Sequence, residues 1–318
     1  MNSNVIFLIV SLLIISCKNE KDLNKTSINL SVLSDQYITI LGTAQDGGFP
    51  HINNTQEFVS VKNREAKKEL VVSLGIIDRQ ENKKFLFEAT PDMPQQLAIL
   101  DGEHLHNETI INGIFLTHAH MGHYTGLMHL GREAMGAKNI QIYAMPKMKI
   151  FLENNGPWSQ LVSLNNVNIN PLQADSIIRI TKNIEVIPFL VPHRDEYSET
   201  VGYKIIGKNK STLFIPDINK WSLWEKSIIE EVKQVDYALI DATFFKNGEI
   251  PRPMSEVPHP FIEETVDLFK NESKEIKSKI IFIHLNHSNP ALDKKNEERL
   301  LLEKQGYRFA NFGDILQL

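Results

Sequence analysis

The chain has 318 residues, and 42% of them are hydrophobic, enough to bury a sizeable core in one large domain or two small ones. Its formal net charge of -5 offers no general attraction to nucleic acid, which argues against a nucleic-acid substrate. The single cysteine, Cys17, excludes an internal disulfide and any metal site that needs two thiolates.

The first residues stand apart. Val5 to Ile15 is an apolar run too short to span a bilayer as a mature helix, and Ser16, Cys17 and Lys18 follow it. The stretch reads as a secretion signal, which places the mature protein outside the cytoplasm. Ile14-Ile15-Ser16-Cys17 also resembles the lipobox of bacterial lipoproteins. That resemblance implies cleavage before Cys17, lipid on its sulfur, and anchorage at the periplasmic side or outer surface of a bacterial membrane. An ordinary signal peptide or apolar anchor is the alternative, because the n-region lacks Lys and Arg. Residues 1–16 are therefore expected to be a lipoprotein-type signal peptide, 17–34 a polar, flexible tether, and 35–318 the folded domain.

The folded part begins at Tyr37 to Leu41, a β-prone run that empties into Gly42-Thr43-Ala44-Gln45-Asp46-Gly47-Gly48-Phe49-Pro50-His51. Glycines there permit close approach of backbone to a ligand. Leu70 to Ile77 and Phe85 to Glu88 read as strands, and Thr90-Pro91-Asp92 opens a short helix to Leu100. Strand Ile111 to Leu116 runs directly into Thr117-His118-Ala119-His120-Met121-Gly122-His123, and a helix is expected over Thr125 to Met135. A buried strand feeding a histidine turn aims several imidazoles at one point, and neutral imidazole suits zinc or iron.

Ile140 to Tyr143 reads as a strand and Met145 to Leu152 as a helix. Asn154 to Asn170 reads as a connection, either plain or part of a substrate wall. Short β runs follow at Ile177 to Ile180 and Ile184 to Leu190. Trp221 and Trp224 are expected to pack a helix against the core.

Further apolar runs end as the first did. Val186 to Val191 leads to His193, Thr212 to Ile215 to Asp217, Tyr237 to Ile240 to Asp241, and Lys279 to Ile283 to His284, with His287 beyond. A sheet aligns its strand ends along one edge, so these side chains gather in one region. Asp217 as a helix N-cap, His193 as a loop residue and His284 as a core histidine are the plain readings of each residue taken singly.

In this order the residues resemble the metallo-β-lactamase superfamily from about Tyr37 to the C-terminus. Its H-x-H-x-D-H signature, later His, bridging Asp and last His look like His118-Ala-His120-Met-Gly122-His123, His193, Asp217 and His284. The resemblance implies an α/β fold, an αββα sandwich of two packed mixed sheets with helices on the outside. Within the superfamily, Leu41 to Pro50, Ala89 to Gln96 and Ile283 to Pro290 resemble segments of pyrroloquinoline quinone biosynthesis protein B and its relatives. Asp241-Ala-Thr-Phe244 with the later His259, and His193-Arg194 with Gly202 to Ile205, are similar to motifs of ribonuclease Z and its phosphodiesterase relatives.

The resemblance implies that His118, His120 and His193 hold one metal, that Asp217 bridges, and that His123 and His284 hold a second. The ion would be zinc, as one or two ions, with iron or manganese as alternatives. Gly122 stands where the signature has its acid, which leaves the second site three protein ligands; Asp46 or His287 are candidates to fill it. Asp217 would also orient the nucleophile, His259 would act as general acid, and Asp241 would fix a histidine tautomer. The expected activity is hydrolysis of an ester or phosphodiester bond in a small-molecule substrate. The alternatives are a mononuclear iron oxygenase on the same fold and a metal-binding lipoprotein without activity.

Overall fold

The computed structural model describes residues 34–253 and 256–318. The expected signal peptide, Cys17 and all of the tether but Ser34 lie outside the described residues. Strand β1 (Gln36–Gly42) is followed by helix α1 (Thr55–Lys62), and β1 then pairs antiparallel with β2 (Ser73–Asp78), as β2 does with β3 (Lys83–Phe87). Three parallel strands extend this sheet, β4 (Gly113–Phe115), β5 (Ile140–Ala144) and β6 (Val167–Pro171). Parallel pairing requires crossovers, and helices α2 (Met93–Ile99), α3 (Met121–Tyr124), α4 (Pro146–Asn154) and α5 (Trp158–Ser163) lie within them.

The second sheet repeats the plan. An antiparallel meander, β7 (Ile178–Arg179), β8 (Glu185–Leu190), β9 (Val201–Ile206) and β10 (Ser211–Ile215), passes into parallel β11 (Tyr237–Asp241), β12 (Ile280–Ile283) and β13 (Arg308–Phe309). Its connections carry α6 (Ile228–Lys233), α7 (Ile262–Leu268), α8 (Lys274–Lys279) and α9 (Glu297–Gln305). The last strand, β14 (Ile315–Gln317), returns to the first sheet beside β1.

Side chains alternate across each strand, and the alternation builds the layers. Ile38, Ile40, Phe87, Phe115, Tyr203, Phe214 and Ile281 belong to the core that joins the two sheets. Their neighbours Tyr37, Leu41, Leu86 and Ile114 pack with Met93, Leu97 and Met148 of α2 and α4. Leu213, Ile215 and Phe282 pack with Ile228, Ile262 and Leu302 of α6, α7 and α9. The result is the expected αββα sandwich. Phe87 stacks on Phe115 at 4.6 Å and meets Tyr203 edge-on at 5.1 Å, while the Tyr203 hydroxyl donates to the carbonyl of Leu116. This aromatic clamp joins the sheets just below the histidine turn.

Two expectations are corrected. In place of the helix over Thr125 to Met135 there is a 3-10 segment, Thr125–Leu130, that follows the single turn of α3 and stops at Gly131. Gly126, Gly131 and Gly136 lower helix propensity across that stretch. Asn154 to Asn170 is not a plain connection but carries α5 and β6, and Trp158 packs on Tyr124 at 4.9 Å.

Candidate metal centre

Strand β4 sets the first imidazoles. Beyond Phe115 the chain leaves the strand and bends at Ala119 and His120, and His120 (φ -97, ψ 151) serves as the N-cap of α3 and leaves His123 on that helix. His118 points Nε2 at Asp217, 3.2 Å from Oδ2, and at Nδ1 of His120, 2.8 Å away. His193, just past β8, places Nε2 3.3 Å from Asp217 Oδ1. His118, His120, His193 and Asp217 each offer one atom to a group within 4.8 Å.

A second group forms beside it from Asp46, His123 and His284. His123 Nε2 lies 3.0 Å from Asp46 Oδ1 and 3.7 Å from Asp217 Oδ2, and His284 Nε2 lies 3.8 Å from Asp46 Oδ1. Asp217 thus stands between the groups. The six residues expected as ligands converge, and His259 joins them, its Nδ1 3.0 Å from Asp217 Oδ1 and 2.9 Å from Asp241 Oδ2. His287 lies apart from this cluster, with Nδ1 2.8 Å from Glu57 and its ring stacked on His51 at 4.2 Å.

Each histidine is fixed from behind. Nδ1 of His118 meets the Thr117 hydroxyl at 2.9 Å, Nδ1 of His193 meets Asn219 at 3.2 Å, and Nδ1 of His284 meets the Thr243 hydroxyl at 2.8 Å. Nδ1 of His123 faces Glu88, 3.4 Å away. An outer partner on one ring nitrogen aims the other at an ion. Among the described residues, most of those inward atoms are unanswered. Nε2 of His123, His193 and His284, Oδ1 of Asp46 and Oδ1 of Asp217 are buried without a hydrogen-bond partner, although several lie at ion-pair distance from one another. Buried polar atoms seldom go unpaired, and five divided between two adjacent ligand groups fit bound cations.

Burial and the carboxylates set the electrostatics: against its burial, Glu88 and Asp46 hold His123 well above its ordinary pKa, so an ion would have to displace a proton there. Burial and the neighbouring His123 hold His118 well below its ordinary pKa, which keeps it a neutral donor. Burial opposes ionisation of Asp217, yet His193 and His259 outweigh it and hold the carboxyl well below the usual range. Asp46 is held down likewise by His123 and His284 against its burial. For His259, burial is overcome by Asp241 and Asp217, which push it up to about 10.

Sequence reasoning missed Glu88 and the hydroxyl and amide partners Thr117, Thr243 and Asn219. Glu88 carried the same signal as the ligands, an acid just past an apolar strand. It is fully buried and adopts a left-handed φ of 76°, as His284 does at 66°. Two non-glycine residues in that region beside one site mark backbone held against its preference.

A family model described as a beta-lactamase superfamily domain matches residues 83–285, more than half of the chain. Coenzyme PQQ synthesis protein B of Gluconobacter oxydans is 24% identical over 324 residues, covering 88% of this chain and 98% of that protein. Zn(2+)-bound PqqB from Methylobacterium extorquens superposes with a TM-score of 0.72 at 19% identity, over 89% of this chain and all of its own. A diphosphatase of the PhnP family gives 0.59 at 22% identity, over 88% and 96%. These structural likenesses show the fold. Together with the sandwich and its strand-end histidines, the match over residues 83–285 makes the chain a member of the β-lactamase superfamily, built on the metallo-β-lactamase fold.

Proposed function

We propose that the protein is a metal-dependent hydrolase of ester or phosphodiester bonds in small molecules. The observation that carries this reading is the set of unpartnered, inward-facing nitrogens and carboxylate oxygens around Asp217. His118, His120 and His193 would hold the first ion with Asp217, and His123 and His284 would face a second. Zinc suits this donor set, with iron or manganese as alternatives. A bound divalent ion supplies hydroxide near neutral pH by lowering the pKa of water from 15.7 to about 7.

The chain's own residues do the rest. Asp217 Oδ1 orients the attacking water. Asp241 ties down Nδ1 of His259 and so leaves Nε2 to protonate the leaving oxygen. A cavity of about 720 Å³ borders Asp46 and is lined by Phe49, Ile52, Phe58 and Met121, which suits a substrate with an apolar arm. The net charge of -5 disfavours a polyanionic strand there.

Purified, zinc-loaded protein should cleave bis-nitrophenyl phosphate or a nitrophenyl ester. His118→Ala and Asp217→Ala should abolish turnover, and His259→Ala should lower kcat by ~100- to 10,000-fold. Near-stoichiometric iron with oxygen uptake and no hydrolysis would overturn the proposal in favour of an oxygenase.

A second reading, a role in coenzyme PQQ synthesis, is supported by relatives of that name aligned over nearly their whole length. It is tested by whether the chain restores PQQ formation to a strain lacking its own synthesis protein B. We further propose export and membrane anchorage through lipid on Cys17. Labelled palmitate should enter the wild-type chain and not Cys17→Ser.

A further inference from the structure

We propose that Asp46 supplies the carboxylate that the sequence lacks at Gly122. Asp46, His123 and His284, with Asp217 alongside, then form a complete second site for a divalent cation such as zinc or manganese. This rests on the metal-binding reading above and adds a ligand from outside the histidine signature.

The steric observation comes first. A Cβ built on Gly122 would lie 2.2 Å from Asp46 Oδ1, 2.7 Å from Asp46 Cα and 2.9 Å from Asp46 Cγ. No side chain fits at position 122 because Asp46 already fills the space. The gap in the signature is therefore not a gap in the centre: a carboxylate reaches the volume from the glycine-rich turn after β1.

Asp46 is also held in place. Gln45 N donates to the carbonyl of Leu285 at 2.9 Å, and Leu285 N donates to Thr43 at 2.9 Å, so the turn is pinned to the residue after His284. Val72 N donates to Ala44 at 2.9 Å from the other side. Short backbone bonds on both flanks fix the aspartate relative to both histidines, as a ligand requires.

Asp46 and His123 meet as a close ion pair. His123 Nε2 and Asp46 Oδ1 are 3.0 Å apart, yet both atoms lack a hydrogen-bond partner, as does His284 Nε2. Leaving three such atoms buried and unanswered is costly, and one cation would answer all of them. Two imidazole nitrogens and two carboxylates make four protein donors, a number that suits zinc.

The test is metal stoichiometry and position rather than turnover. Chelator-stripped full-length chain is titrated calorimetrically with zinc, then crystallised with zinc for anomalous scattering. Wild type should bind two ions, one of them within ~2.0–2.2 Å of Asp46 Oδ1. Asp46→Asn, which keeps the shape, and Asp46→Ala should each bind one ion. Affinity at the second site should fall by more than the ~10- to 100-fold expected for losing an outer partner. Far-UV circular dichroism of the metal-free variants checks folding, and the wild-type anomalous map needs no variant at all.

Two ions bound equally well by both variants, or no wild-type density beside Asp46, would overturn the proposal. Two ions with Asp46 ligated but no hydrolysis would leave it standing while removing the hydrolase reading. Hydrolysis with a single ion at His118, His120 and His193, unaffected by Asp46→Ala, would do the reverse.

Discussion

Every inward-facing histidine here has a designated neighbour behind it, and that neighbour decides which nitrogen looks inward. Glu88 is the most exacting case, a fully buried carboxylate 3.4 Å from His123 Nδ1. Glu88→Gln should weaken metal binding at the second group by ~10- to 100-fold, measured by competition with a chromophoric chelator. His104 is a buried imidazole remote from this chemistry, with Nδ1 3.3 Å from the Tyr37 hydroxyl. Burial drops its pKa to about 4, whereas an unfolded histidine titrates near ~6.5. Between those values the unfolded chain binds the extra proton, so acid favours unfolding. The contribution is complete above pH ~6.5, is lost as pH falls toward 4, and amounts to at most ~3 kcal/mol. Urea midpoints at pH 7 and pH 4.5 should therefore differ less for His104→Gln than for wild type.

At the scale of elements, the chemistry collects at the carboxyl ends of strands. Glu88 follows β3, the histidine turn follows β4, Asp217 follows β10, Asp241 ends β11 and His284 follows β12. In open parallel sheets that rim is where ligands bind. The rim was legible in the sequence because each strand is an apolar run ending abruptly in His, Asp or Glu. Helices α1 and α8 were not, since neither buries a single residue and so neither carries an apolar face to read. The place of Asp46 was also hidden, because the pairing of Thr43 and Gln45 with Leu285 joins segments far apart in the chain. The strands depend on the ring cluster beneath them. Phe87→Ala, which removes contacts to Phe115 and Tyr203, should cost about 3–5 kcal/mol in urea unfolding.

At the scale of the whole molecule, the centre draws on both sheets. Asp46, His118, His120 and His123 come from the first sheet's connections, and His193, Asp217 and His284 from the second's. An ion held there would link the two sheets at one rim. Zinc at 100 times its dissociation constant should raise stability by ~2.7 kcal/mol, seen as a higher Tm that EDTA reverses. A Tm indifferent to zinc and EDTA would contradict that linkage.

The crowding of Asp46 against Gly122 carries a lesson for evolution. Two positions that compete for one volume cannot both be occupied, so an acid at one and a bare backbone at the other should travel together through descent. A lineage that acquired aspartate at 122 would have to redraw the turn that carries Asp46. Aligned descendants should accordingly show the two sites alternating rather than drifting independently, and Gly122→Asp introduced alone should lower the melting temperature instead of repairing the motif.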